Sequence, residues 1–375
     1  MSRNLIMKKL CCVTVYALLA LVSGVSVEPA AGTVAGGVAS SGEARLAFFV
    51  HVFYGQMRHV PRLLNRLHHE DNYYVTHLDA KAAGTKAERH YQDMFEEQRG
   101  RWPNVADLRP SRRVAYDGVS MVELTLSAVT LLLGMGPWSY LITLSPHDYP
   151  LLPQPQMRAA LGSLPPHLNF VSHASAAWDE SGRWWSLSRV PAVVLDRNLY
   201  MSNAEDAIVQ AKGNRTIMPL FREFPTAFDV YRGEPWVILD RLFAEYLILG
   251  TDGWARRALL YMANFPTPIE HYFPTVLCNS QTFRPLVIRD SLRNFFQSDE
   301  EASEVALGPL DVTALASAGH LMAVLPGDKV AERSYDALDE YLDGITNAGK
   351  GSVALGRVSA RLRFVMNNNA TCDFT

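Results

Sequence analysis

Between residues 46 and 144, continuous apolar runs alternate with stretches of helical periodicity, and few architectures accommodate that order. Leu46 to Phe53 and Tyr73 to Leu78 read as strands, with Asp79 ending the second. Gln56 to His69 carries Met57, Val60, Leu63, Leu64 and Leu67 on one helical face, and a polar helical stretch follows around Thr85 to Gln98. Arg113 to Tyr116 is expected as a short strand, Ser120 to Leu133 as a helix apolar nearly all round, and Tyr140 to Leu144 as another buried strand. Strands without polar alternation are buried on both faces, so the pattern predicts an α/β fold: a mostly parallel sheet with helices on both faces. Ligands of such sheets bind beyond the carboxyl ends of the strands, where Asp79 and Asp148 fall.

The flanks set the expected organisation. Arg3, Lys8 and Lys9 precede an apolar run from Leu10 to Val27, about 18 residues without a charge, between the lengths of a signal-peptide core and a membrane anchor. The basic side is expected in the cytoplasm, giving a cytoplasmic tail and signal anchor over 1–27 of a single-pass type II membrane protein. Residues 28–44, rich in Ala, Gly, Val and Ser, suit a flexible stem, and 45–345 a single catalytic domain. Helices are expected at Val312 to Met322 and Ala331 to Leu342, and 346–375 is a C-terminal tail of unassigned role. Cys11 and Cys12 lie in the apolar run, which leaves Cys278 and Cys372 as a pair compatible with one disulfide. Sequons at Asn214 and Asn369 fit a lumenal chain. A net charge of -3 without a basic stripe gives no nucleic-acid footprint.

The chemistry concentrates between Gly233 and Ser280. A short strand, Trp236 to Leu239, leads to a helix capped by Asp240; after a spacer helix, a loop is expected to deliver Glu270 just ahead of a second apolar helix. A carboxylate there is favoured by the helix dipole and open to a ligand, although a first-turn glutamate with no further role has the same signature. No Walker loop, Gly-x-Gly-x-x-Gly, Gly-x-Ser-x-Gly or His-Glu-x-x-His is present, and no Asp-x-Asp pair that would hold a divalent metal on a diphosphate. His77 and His147, beside Asp79 and Asp148, are read as structural histidines before metal ligands.

Trp-x-x-Leu-x-Arg-x-Phe-x-Glu-Tyr from Trp236 to Tyr246, then Pro-x-Glu-x-x-Phe-x-Thr-Val-x-Cys-Asn-Ser from Pro268 to Ser280, resembles the core-2/I-branching enzyme family, glycosyltransferase family 14. Within it the chain is most similar to plant β-glucuronosyltransferases acting on arabinogalactan proteins, which Asn169 to His173, Arg189 to Ser202 and Pro225 to Gly233 also follow. Thr76-His77-Leu78-Asp79-Ala80-Lys81 resembles the family's His-Val-Asp-x-Lys step, and Ser145 to Leu151 its Ser-x-x-Asp-Tyr-Pro-Leu step.

The resemblance implies a GT-A-like, Rossmann-type lumenal transferase in the Golgi membrane. It would move a sugar with inversion from a UDP donor to a hydroxyl of a glycan or glycoprotein, without cofactor or divalent metal. UDP-glucuronic acid is the first-choice donor and arabinogalactan galactan the acceptor, with xylose or N-acetylglucosamine transfer as the alternative. It makes Glu270 the catalytic base and Asp79, Asp148, Arg293 and Lys329 the nucleotide-sugar side. Trp236, Arg241, Arg183 and Trp185 are sugar- or acceptor-binding candidates. Where the family has a diphosphate-binding lysine this chain has Leu325, with Lys329 four residues on. That substitution keeps a catalytically silent, glycan-binding relative open. A glycoside hydrolase also stays open and would need a second carboxylate about 5–10 Å from Glu270.

Overall fold

A computed structural model describes residues 42–53, 57–175, 192–196, 216–221, 225–296, 306–326, 330–368 and 372. The expected anchor, nearly all of the stem, Arg183, Trp185, Lys329, Asn214 and Asn369 lie outside the described residues. Among the described residues, no helix is long and apolar enough to cross a membrane.

In chain order the strands are β1 (Leu46–Val52), β2 (Tyr73–Leu78), β3 (Val105–Asp107), β4 (Tyr140–Leu144), β5 (Asp148–Pro150), β6 (Asn169–Phe170), β7 (His173–Ser175), β8 (Ala192–Leu195), β9 (Thr216–Phe221), β10 (Tyr231–Gly233), β11 (Ile238–Asp240), β12 (Val287–Ile288), β13 (Arg293–Phe295) and β14 (Met322–Val324). Seven form the central sheet, in the order β12-β6-β11-β4-β1-β2-β3. The pairs β4–β1, β1–β2, β2–β3 and β12–β6 are parallel, and β11 alone runs against both its neighbours. The mostly parallel sheet expected from the uninterrupted runs is present.

Along β1, Leu46, Phe48, Val50 and Val52 feed the core on one face, and Ala47 and Phe49 the core on the other. The first face is covered by α1 (Val60–Leu67), α2 (Lys86–Arg101) and α4 (Gln154–Gly162), the second by α3 (Ser120–Met135), α5 (Arg241–Leu249), α6 (Trp254–Met262) and α7 (Pro268–Cys278). Val60, Leu63, Leu64 and Leu67 are buried, as the periodicity of α1 requires. The C-terminal helices α8 (Pro309–Ser317), α9 (Glu332–Asn347) and α10 (Gly351–Asn368) join the first core. Arg62 and Arg66 of α1 reach Asp339 and Asp343 of α9 at 2.7 and 2.5 Å.

Four expectations are corrected. Residues 113–116 form no strand; the sheet's edge is Val105–Asp107, too short to show a run. The helix at 312 stops at Ser317, and Met322 belongs to β14, which pairs with both β5 and β13. Glu270 lies inside the first turn of α7, because Pro268 already occupies the first helical position. Residues 351–368 of the expected tail are helical, and Cys372 beyond them forms a disulfide with Cys278, the last residue of α7, with Cα atoms 5.5 Å apart.

Candidate active site

Every residue of α7 is buried, and Glu270 is 8% exposed. The helix is preceded by Thr267 in the left-handed region at φ 44°, and Pro274 removes the amide that would have met the carbonyl of Glu270. Its amino terminus favours a carboxylate. Two segments distant in sequence close on that carboxylate. The Tyr116 hydroxyl donates to Oε1 at 2.7 Å, and Arg232 donates to Oε2 through Nε at 2.8 Å and Nη2 at 2.7 Å. The Thr267 hydroxyl stands 3.5 Å from the same Oε2.

Each partner is positioned by its backbone. The amide of Tyr231 donates to Thr275 Oγ1 at 3.0 Å, and Asn279 Nδ2 donates to the Asp229 carbonyl at 2.7 Å. These bonds stitch β10 along α7 and set Arg232 opposite Glu270. Gly233 follows because a Cβ there would stand 1.8 Å from the Ser172 carbonyl oxygen. Tyr116 sits on the loop leading into α3. The Ala115 amide donates to Ser120 Oγ, the Ser120 amide donates to buried Asp196 Oδ2 at 2.8 Å, and Gly118 leaves room for that carboxylate. Burial of its hydroxyl end, then the neighbouring Glu270 charge, raise the Tyr116 pKa, so the phenol stays a donor.

The cluster lies at the carboxyl end of the parallel strands. The Arg112 amide donates to His77 Nε2 at 3.0 Å, and the Ala80 amide donates to the Arg112 carbonyl at 3.0 Å, tying the Tyr116 loop to the end of β2. Asp79 is buried there; its Oδ1 accepts the Lys81 amide and its Oδ2 lies 3.3 Å from Lys81 Nζ. His51 and His77 are neighbours in the β1–β2 register, with rings 5.4 Å apart. Burial pushes the His77 pKa down to about 4 and that of His51 well below its usual value, so both are neutral.

Other expected site residues are placed elsewhere. Asp148 and Arg293 are spent on each other. Arg293 Nε donates to Asp148 Oδ1 at 2.9 Å, Nη1 to the Ser291 carbonyl at 3.2 Å and Nη2 to the Thr143 carbonyl at 2.5 Å. Asp148 Oδ2 accepts the amide and hydroxyl of Ser145, both at 2.8 Å. Both side chains are 0% exposed, so neither meets a diphosphate without the pair opening. Arg241 lies apart from the Glu270 cluster: it donates to Glu245 and to the Gly136 carbonyl, at the opposite end of β4 from Asp148. Trp236, half-buried, lies ahead of β11, which runs against β4, and so stands at the carboxyl end of the parallel strands. Leu325 is 3% exposed in the first core, with its amide donating to the His147 carbonyl, so a lysine there would bury its charge. Tyr116 and Arg232 escaped sequence reasoning. Arg232 precedes the glycine that ends the Pro225 to Gly233 block, and an arginine beside a glycine that must pack on backbone is the available signal.

A family model described as Core-2/I-Branching enzyme matches residues 46–304. The chain belongs to that family. It is 30% identical over 318 residues to β-glucuronosyltransferase GlcAT14A of Arabidopsis thaliana, covering 83% of this chain and 66% of that protein. It is 34% identical over 253 residues to GlcAT14B of the same plant, covering 66% and 55%. Xylosyltransferase 1 of Homo sapiens is 25% identical over 239 residues, 63% of this chain and 22% of that one. The chain thus spans roughly half to two thirds of the two plant enzymes it matches.

Proposed function

We propose that this protein is an inverting glycosyltransferase that uses a UDP-sugar to glycosylate a hydroxyl of a glycan or glycoprotein, with Glu270 as the general base. The carrying observation is the Glu270 carboxylate on a buried helix start, fixed on one oxygen by Tyr116 and on the other by Arg232. An acceptor hydroxyl attacks the anomeric carbon only as its proton leaves, and a carboxylate held in one orientation can take that proton as the bond forms. Among the described residues, the partners of Glu270 are a phenol, a guanidinium and a threonine hydroxyl, which suits one base better than the paired carboxylates of a hydrolase.

Glucuronic acid is the first-choice donor, supported by the names of the plant relatives, and arabinogalactan-type galactan is the acceptor that the resemblance of the sequence blocks implies; xylose is the alternative donor, supported by the xylosyltransferase match. The missing Asp-x-Asp supports transfer without a divalent metal. The charge-flanked run at 10–27 supports a type II Golgi membrane protein with its bulk lumenal, and the Cys278–Cys372 disulfide suits an oxidising compartment.

Incubation of the full chain with UDP-glucuronic acid, UDP-xylose and UDP-N-acetylglucosamine, each with and without chelator, tests the reaction. Transfer to galactan from UDP-glucuronic acid in excess chelator is expected. Transfer from another donor moves the assignment within the family, and activity restored only by Mn²⁺ overturns metal independence. Protease digestion of the large fragment in intact vesicles would refute the lumenal orientation.

A further inference from the structure

The cation expected at the diphosphate is missing from its expected places, since Arg293 is enclosed with Asp148 and Leu325 is a core side chain. Resting on the UDP-sugar reading, we propose that Lys81 is the cation that meets the donor's diphosphate.

Lys81 follows the carboxyl end of β2, where ligands of parallel sheets bind, and its side chain is 46% exposed. Its ammonium has three donors. One reaches the Val114 carbonyl at 2.5 Å and another lies 3.3 Å from Asp79 Oδ2, which leaves the third for a ligand. Asp79 is buried behind the ammonium and also accepts the Lys81 amide, so its carboxylate fixes the lysine in place.

The location relative to the base carries the proposal furthest. Val114, held by Lys81, and Tyr116, held on Glu270, stand two residues apart on one loop, and two extended residues span about 7 Å, the scale of one sugar ring. A donor lying along this loop would place its leaving diphosphate at Lys81 and its reacting carbon toward Glu270. Arg112 and Arg113 add positive charge on the same segment: Arg113 is exposed, and Arg112 is half-buried beside Ser127. Charge on the departing diphosphate is what a transferase must stabilise when no metal does so.

Calorimetric titration of the full chain with UDP and with uridine tests the assignment. Lys81→Met should weaken UDP roughly 10- to 100-fold, the worth of one charge-assisted contact, while uridine changes less than about twofold. Lys81→Arg should keep most of the affinity, and Arg113→Ala should lose less than Lys81→Met. Lys81→Gln replaces the methionine variant if that one melts early. Unchanged UDP affinity, or equal losses for UDP and uridine, would overturn the role of Lys81 alone. If the unaltered protein binds uridine and UDP equally, or neither, the UDP-donor reading falls and this proposal with it.

Discussion

Two carboxylate–guanidinium pairs among the described residues, Asp148–Arg293 and Glu270–Arg232, lie toward the same end of the sheet, and their surroundings give them opposite meanings. The side chains of Asp148 and Arg293 are fully enclosed; Ser145 satisfies the first, and the Ser291 and Thr143 carbonyls the second. Glu270 and Arg232 make as close a contact, 2.7 Å, but their side chains are 11% and 23% exposed, and Tyr116, the third member, is 38% exposed. A sealed pair is stable only as a pair, because removing one partner strands a charge in the interior. A pair at the rim keeps its geometry and still admits a ligand. Two pairs alike in chemistry therefore divide into a sealed brace and a pair that a ligand can reach.

The sharpest separation comes from breaking each pair in turn. Glu270→Gln keeps the shape and one hydrogen-bonding oxygen but removes the base, so transfer should fall about 10²- to 10⁴-fold while the melting curve and UDP binding persist. Near-normal turnover in this variant would refute the assignment. Arg293→Met should do the reverse, costing about 3–5 kcal/mol in denaturant unfolding through the stranded Asp148 charge. An Arg293→Met protein of unchanged stability with lost UDP affinity would return Arg293 to the diphosphate.

Breaking the third member should have a smaller effect. Tyr116→Phe removes one of the bonds that orient Glu270 and leaves the carboxylate and Arg232 in place. A loss of roughly 10-fold in kcat with little change in KM is expected, the worth of one hydrogen bond to a charged group. A change in KM alone would make Tyr116 a substrate contact.

The two pairs also show where sequence reasoning stops. β1, β2 and β4 were legible because a buried parallel strand must be apolar throughout, and Glu270 because a carboxylate before an apolar helix stands out. Asp148 and Asp79 looked equivalent as strand-end carboxylates. What separates them is an arginine 145 positions beyond Asp148 and a lysine two positions beyond Asp79, and only folding reveals the first. Arg232 acquires its role through bonds between Tyr231 and Thr275, 44 positions apart, which no local pattern encodes. The edge strand at Val105 was lost for a simpler reason, since three residues carry too little periodicity to exceed the noise of the neighbouring loop.

Glu123 makes the smallest difference and the most pH-dependent one. It lies in the first turn of α3, three residues past the Ser120 amide that holds Asp196. Burial raises its pKa to about 7, Arg112 pulls against that shift and Asp196 adds to it. A carboxyl whose folded pKa is raised is bound to its proton more tightly in the folded chain than in the unfolded one. Its contribution to stability is therefore complete below the unfolded pKa, about 4.5, and is lost as pH rises toward 7. Glu123→Gln, which keeps the neutral shape and cannot ionise, should melt at the same temperature as the unaltered protein near pH 4.5 and higher near pH 7.5. The gain should grow across that interval and level off above it. Because Glu123 touches neither Glu270 nor Arg293 in the structure, transfer at fixed temperature should change little. A gain independent of pH would mean that packing at this site, and not the buried charge, sets the difference.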